Sequence, residues 1–329
     1  MFNSRKFLML FMLLGLTSLI NQFANAESNS QPYPSRPIRF VVPFGPGTSS
    51  DLQARYIGQR LTKLIGQPVI IDNKPGANGF IAMQYVLSQP SDGYTIAVGG
   101  SATHGSNPGL FKTLPYDPIK DFVGISGLSI GGGAIFVRPG FPAKNIAELI
   151  SLSLLSPGKY TYASGAPFAR VAIETLAQAS GINLLHVPYK GNSSIAAEVM
   201  AGTVDIGFEP LVTLIPLINS GKVRVLGVST QKRILGLEEI PTVAEQGLPG
   251  YRTLGWLAFF APVSTPADIV TQLNGLIVSI LKTADAKEYF RQNTTWETMP
   301  MSSAEVGSFI KAEIELWRKA VKQAGIEVQ

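Results

Sequence analysis

The chain has no cysteine among its 329 residues. That excludes disulfides, thiolate metal sites and cysteine nucleophiles, so stability must come from an apolar core, which about 300 residues can supply. Histidine is nearly as scarce, with His104 and His186 the only two. No set of ligands at metal-binding spacing accompanies them, so no metal and no cofactor are expected. Charge is thin as well, with 27 Lys+Arg against 22 Asp+Glu and no basic run interleaved with aromatics. Nucleic acid is therefore not an expected partner. Long hydrophobic runs are confined to the N-terminus. Phe7 to Leu16 follows Arg5 and Lys6 and precedes Ala24-Asn25-Ala26, the pattern of a signal peptide over residues 1–26, cleaved after Ala26. The run is short for a membrane span, and the alternative is an uncleaved anchor. Losing Arg5 and Lys6 lowers the net charge by two, from +5 to +3.

Beyond a linker at 28–32, strand and helix patterns alternate. Ile38–Pro43, Val69–Asp72 and Tyr94–Val98 read as strands, and Asp51–Ile65 and Ile81–Ser88 as helices. Ile57, Leu61, Leu64 and Ile65 would form the buried face of the first helix, and Gly66 would end it. This is βαβαβ, the mark of a parallel sheet with helices on both faces. Leu114-Pro115-Tyr116-Asp117-Pro118 interrupts the pattern. Two extended segments, Phe122–Ile130 and Ala134–Val137, follow, and a crossover to a second lobe is placed near Ser126–Ile130. Gly131-Gly132-Gly133 between them suits a flexible or closely packed crossing.

The second lobe repeats the plan. Helices are expected at Ala147–Leu155 and Ser194–Met200, and strands at Tyr160–Ala163, Leu184–Pro188, Val204–Phe208 and Val223–Ser229. A helix after Phe168 would bury Ala169, Ala172, Leu176 and Ala179. Leu254–Ala261 reads as the return crossing. Two amphipathic helices then pack back on the first lobe, through Ile269, Leu273, Leu276, Ile277, Ile280 and Leu281 and through Ile310, Ile314, Trp317 and Val321. The expected lobes are 33–127 plus 255–329, and 128–254. Two crossings between two α/β lobes make a clamshell with a ligand in the cleft.

Strand, Gly/Pro loop and helix occur at 38–65 and again at 160–179, so each lobe offers one anion-capable loop. In the first, Phe44-Gly45-Pro46-Gly47-Thr48-Ser49-Ser50-Asp51 would present backbone N–H groups and the positive end of a helix. It lacks the Gly-Lys-Ser/Thr ending of a phosphate loop and the third glycine of a dinucleotide fingerprint. Carboxylate binding by N–H groups and hydroxyls remains, against an ordinary turn in which Ser50 or Asp51 caps the helix. Tyr189-Lys190-Gly191 opens another helix N-terminus, and Glu209 follows a strand end that could reach the cleft. His104 could line the cleft, whereas His186 between Leu185 and Val187 reads as a strand residue with one buried face. A Ser101–His104–Asp51 triad can be drawn, but no Gly-x-Ser-x-Gly elbow supports it, and no catalytic residue is expected.

The motifs taken together resemble one family. Tyr33-Pro34-Ser35-Arg36-Pro37-Ile38, Val42 to Gly47, Asn73-Lys74-Pro75-Gly76-Ala77 and Asp92-Gly93-Tyr94-Thr95 are followed by Leu114 to Pro118 and His186-Val187-Pro188-Tyr189-Lys190-Gly191. Gly202-Thr203-Val204-Asp205, Pro241-Thr242-Val243-Ala244-Glu245 and Phe260-Ala261-Pro262 complete the ordered set. It resembles the solute receptors of tripartite tricarboxylate transporters, the Bug-type periplasmic binding proteins. The resemblance covers nearly the whole chain beyond the leader. It implies a two-lobed periplasmic binding fold, a type II-like clamshell whose lobes are mostly parallel sheets flanked by helices. It also implies a monomeric, non-enzymatic, periplasmic receptor for a small carboxylate, which could be a di- or tricarboxylate, an amino acid or an aromatic acid. Such a receptor hands its solute to a cytoplasmic-membrane permease. On the family pattern the ligand meets Phe44 to Ser50, Ser101, Thr103, Glu209 and the segment Ser164, Gly165, Ala166 to Arg170, with Tyr189 beside them.

Two departures stand out. The second-lobe loop is shorter than the family's and lacks its serines, with Arg170 where histidine is usual, and Gly47 is followed by Thr48 rather than a second glycine. Either Arg170 pairs a ligand carboxylate, or Phe168 fills the space and the ligand is less polar at that end. The alternatives to a transport receptor are a ligand sensor docking on a membrane signalling protein and an exported serine hydrolase using Ser101 and His104.

Overall fold

The computed structural model describes residues 33–165, 167–189, 194–323 and 325–328. The expected signal peptide, Ala166 and Lys190 to Ser193 lie outside the described residues. The chain divides into Met1–Ser35 and Arg36–Gln329, and the contacts below all lie within the second unit.

Ten strands form one curled mixed sheet. The first part is parallel, with β1 (Ile38–Val42) between β2 (Val69–Asn73) and β3 (Thr95–Gly100). Connecting them are α1 (Ser49–Ile65) and α2 (Phe80–Leu87), the strand–helix–strand crossover units that the alternating pattern predicts. Thr48 enters α1 in extended backbone, and Gly66, at φ 70°, ends it by donating its N–H to Thr62 O, the left-handed cap that glycine takes without a Cβ penalty. The buried face is Gln53, Ala54, Tyr56, Ile57 and Leu61. Leu64, expected on that face, is 56% exposed.

A π-helical turn, Ser101–Ser106, follows β3 and leads into the short helix α3 (Asn107–Leu110). The two expected extended segments then prove to be a single strand, β4 (Phe122–Val137), which crosses the molecule. Up to Gly132 it pairs antiparallel with β9 (Leu254–Pro262), and from Gly133 with β7 (Ile206–Pro210). The change of partners thus falls at the glycine triplet, beyond the expected Ser126–Ile130. A Cβ on Gly131 would stand 2.2 Å from Trp296, and one on Gly133 would stand 2.6 Å from Phe208. The triplet is close-packed strand rather than a flexible joint.

Beyond it, β7 pairs parallel with β5 (Thr161–Ser164), and β5 with β6 (Leu185–Pro188), while β8 (Arg224–Val228) lies on the other side of β4. Around these pack α4 (Ile146–Leu155), α5 (Pro167–Ser180), α6 (Ile195–Ala201) and α7 (Leu211–Asn219). Both faces of this part are covered. Ile135 and Val137 meet Tyr162, Ala172 and Leu176 on one side. Ala134 and Phe136 meet Ile195, Val199 and Leu211 on the other, the two-residue alternation of a strand buried on both faces. Ile173 and Ala177 of α5 are buried, and Ala179, expected there, is exposed.

The chain returns along β9 into α8 (Ala267–Leu281), α9 (Ala284–Thr294), the short β10 (Glu297–Thr298), which pairs with β4, and α10 (Ser303–Gln323). Ile310, Ile314, Trp317 and Val321 are all buried, as their spacing predicts. Ile310 and Ile314 join a core with Val41, Ala82, Met83, Trp256 and Phe260. Trp317 and Val321 instead meet Leu110, Val171 and Phe168. No helix among the described residues is long and apolar enough to cross a membrane.

Candidate functional site

The loop after β1 is held by one carboxylate. Asp51, in the first turn of α1 and 2% exposed, accepts from Gly47 N–H, Arg55 Nε and Asn73 Nδ2, each at 2.9 Å. Asn73 also donates to Phe44 O at 2.9 Å, and the Thr48 hydroxyl to Gly45 O at 2.8 Å. Gly47 sits at φ 80°, where a side chain would be strained. Burial opposes ionisation of Asp51, but these bonds and the Arg55 charge hold its carboxyl below its ordinary value. The Gly47 N–H expected to face a ligand is thus taken by the protein itself. Helical geometry leaves the N–H groups of Ser49, Ser50 and Asp51 without an intrahelical acceptor, at the positive end of the helix. Ser50 is buried, its hydroxyl 3.2 Å from that of Thr48, and Ser49 Oγ accepts from Gln53 Nε2 at 3.0 Å.

The π-helical turn after β3 sorts its side chains to opposite sides. Thr103 turns into the core, where its hydroxyl accepts from Gly100 N–H at 3.1 Å and lies 2.9 Å from His104 Nδ1. His104 is fully buried and stacked on Phe260 with ring centroids 3.8 Å apart. Burial pushes its pKa down to about 3. A sealed imidazole bonded to Thr103 does not line the cleft, and Asp51 is bonded to Arg55 and the first loop, so neither the histidine nor the carboxylate stands as the drawn triad requires.

At the second loop, Ser164 Oγ lies 2.7 Å from His186 Nε2, and Tyr189 N–H donates to Ser164 O at 2.9 Å. Arg170 lies close enough to Tyr162 and His186 for its charge to act on both. The His186 pKa is lowered first by burial and then by Arg170. Tyr162 donates its hydroxyl proton to Glu174. Glu209 is buried on β7 opposite Ala134.

A cavity of about 110 Å³ lies where these segments converge. Phe44, Asn78, Ser101, Ala102, Ser106 and Asn107 line it, and Phe168 and Trp317 complete it. Phe168 packs between Phe208 and Trp317, with centroids at 5.2 and 6.1 Å. Of the residues expected at a ligand, Phe44 and Ser101 reach this cavity. Gly45, Gly47, Thr48, Ser49 and Ser50 of the first loop are not among its walls, nor are Thr103, Ser164, Gly165, Arg170, Tyr189 and Glu209. Phe168 was visible in the sequence as the residue replacing a polar loop. Trp317, read there only as a buried helix position, could not be placed at a site so distant in the chain. A larger groove of about 710 Å³, between residues 108–121 and α10, contains none of the expected residues.

Residues 53–326 match the model of the tripartite tricarboxylate transporter family receptor. The chain belongs to this family. A UPF0065 protein of Bordetella pertussis is 33% identical to the receptor over 93% of this chain and 95% of its own. Among solved structures, R. palustris Rpa4515 with adipate is 33% identical at a TM-score of 0.81, covering 89% of the receptor and 98% of that protein. The periplasmic binding protein BugD is 29% identical at a TM-score of 0.76, covering 90% of the receptor and all of that chain. The receptor therefore has the two-lobed α/β periplasmic binding fold, with the refinement that β4 and β9 add antiparallel pairs between its parallel strands.

Proposed function

We propose that this receptor captures a short aliphatic carboxylate in the periplasm, in a cleft between lobes 33–127 plus 255–329 and 128–254. It then delivers the solute, as a monomer and without chemical change, to a cytoplasmic-membrane permease of the tripartite tricarboxylate class. The carrying observation is the cavity at the head of the first loop. Its lining combines the polar residues Ser101, Ser106 and Asn107 with the aromatic residues Phe44, Phe168 and Trp317. The polar walls suit a carboxylate and the rings a methylene chain, and the first-turn N–H groups of α1 follow Phe44 in the chain, five residues beyond this wall. The adipate complex of a relative with 33% identity supports this ligand class. A volume of about 110 Å³, well under the usual range of roughly 300–1,000 Å³ for larger ligands, favours a small acid over a tricarboxylic one. Phe168 as a cavity wall supports the less polar of the two ends weighed from the sequence.

The test is thermal unfolding of the leader-free protein with adipate, succinate, citrate, benzoate and a neutral diamide. At roughly a hundredfold excess over Kd, an aliphatic dicarboxylate should raise Tm by about 5 °C. A rise with the diamide alone refutes the carboxylate assignment. Delivery is tested by uptake of the labelled acid in cells with and without the receptor gene.

A further inference from the structure

We propose that Gln53 is a positioning residue of the binding loop, which turns the Ser49 hydroxyl into a committed hydrogen-bond donor for the ligand's carboxylate. The inference rests on the carboxylate reading given above.

Gln53 sits on α1 and Ser129 on β4, and both side chains are fully buried between helix and sheet. Ser129 Oγ donates to Gln53 Oε1 at 2.5 Å, and Gln53 Nε2 donates to Ser49 Oγ at 3.0 Å. A glutamine amide has one accepting and one donating end. Ser129 occupies the accepting end, so the donating end must face Ser49, one helical turn earlier. A serine hydroxyl carries a single proton. Ser49 Oγ receives a bond from Gln53, so its own proton remains for another acceptor.

Ser49 is the first residue of α1, beside the first-turn N–H groups and the positive helix end. An anion is the acceptor that gains most there. The chain Ser129→Gln53→Ser49 therefore has a direction, and it points from the crossing strand towards the loop. Packing does not require this amide. Its helix neighbours Ala54, Ile57 and Leu61 are apolar and buried, and a methionine would fill the same space without needing polar partners. A buried amide between them is costly unless both of its ends are bonded.

The test is a double-mutant cycle in calorimetry, using whichever of adipate, succinate, citrate and benzoate raises Tm most. Gln53→Met and Ser49→Ala should each weaken binding roughly tenfold, the value of one hydrogen bond to a charged group. The double variant should bind no more weakly than Ser49→Ala, while the two losses of thermal stability still add. Ser129→Ala frees the amide to rotate and should give a smaller loss that also vanishes in the Ser49→Ala background. It replaces Gln53→Met in the cycle if that variant does not fold. An unchanged Kd in Gln53→Met, or an equal drop in both backgrounds, overturns the proposal. If no acid binds the unaltered protein, the carboxylate reading fails and this proposal with it. If an acid binds and the cycle is additive, this proposal alone fails.

Discussion

Residues 38–65 and 161–180 follow one plan, a strand, a loop and a helix whose positive end meets the loop, yet they are furnished differently. In the first, Asp51 gathers Gly47, Arg55 and Asn73 around the loop, so its shape is set before any ligand arrives. In the second, Ser164 turns to His186, Arg170 lies by Tyr162 and His186, and Phe168 carries the loop's contribution to the cavity. A shared backbone plan does not imply shared chemistry. On the function proposed above, one unit holds the carboxylate and the other supplies an apolar wall.

The sharpest way to break this contrast is Asp51→Ala. It leaves the Gly47 N–H without its partner and Arg55 with only the longer bond to Asn73 Oδ1 at 3.3 Å. It should cost about 3 kcal/mol of stability and on the order of a hundredfold in acid affinity, read by urea unfolding and calorimetry. The Asp51 pKa is depressed in the folded state, so its contribution is present above the ordinary value of 3.8 and is lost as pH falls through the folded value. Asp51→Asn should flatten that part of the acid limb, and an unaltered limb would remove Asp51 from its account.

Phe168→Ala tests the other wall. Losing its contacts with Phe208 and Trp317 should cost about 2 kcal/mol, less than a fully buried phenylalanine. The larger cavity should raise the adipate-to-succinate affinity ratio by roughly tenfold, the worth of one or two methylenes in an apolar pocket. An unchanged ratio would mean the ring does not meet the ligand. The smallest effect belongs to Arg170→Ala. Acid affinity should stay within about twofold, while the His186 pKa, followed by NMR, rises as a neighbouring positive charge is removed. A large loss of affinity would restore Arg170 to the site.

Much of the fold was legible where local chemistry decides it. Gly66 ended α1, the i, i+4, i+7, i+11 spacing of Ile310, Ile314, Trp317 and Val321 defined a buried face, and β-branched runs marked the strands. Helices α7 and α9 were not anticipated. The first carries Pro216 within an almost wholly apolar run and the second is largely polar, so neither shows a clean apolar stripe. The site was half legible. The loop at 43–51 announces itself, but whether a hydroxyl such as that of Thr103 faces the cleft or the core depends on the π-helical turn that carries it. Trp317 and Asn107 reach the cavity through tertiary packing that no local spacing encodes.

The glycine triplet of β4 has a consequence for assembly. The room left by its missing side chains is taken by Trp296, by Ser229 with Thr230, and by Phe208, all much later in the chain. Such distant contacts carry a large loop-closure entropy and form slowly. The packing of the middle of the molecule thus depends on residues from the later part of the chain. A chain cut short before Trp296 could build the early strands of β1 to β3, but it would leave the joint between the two halves unfilled.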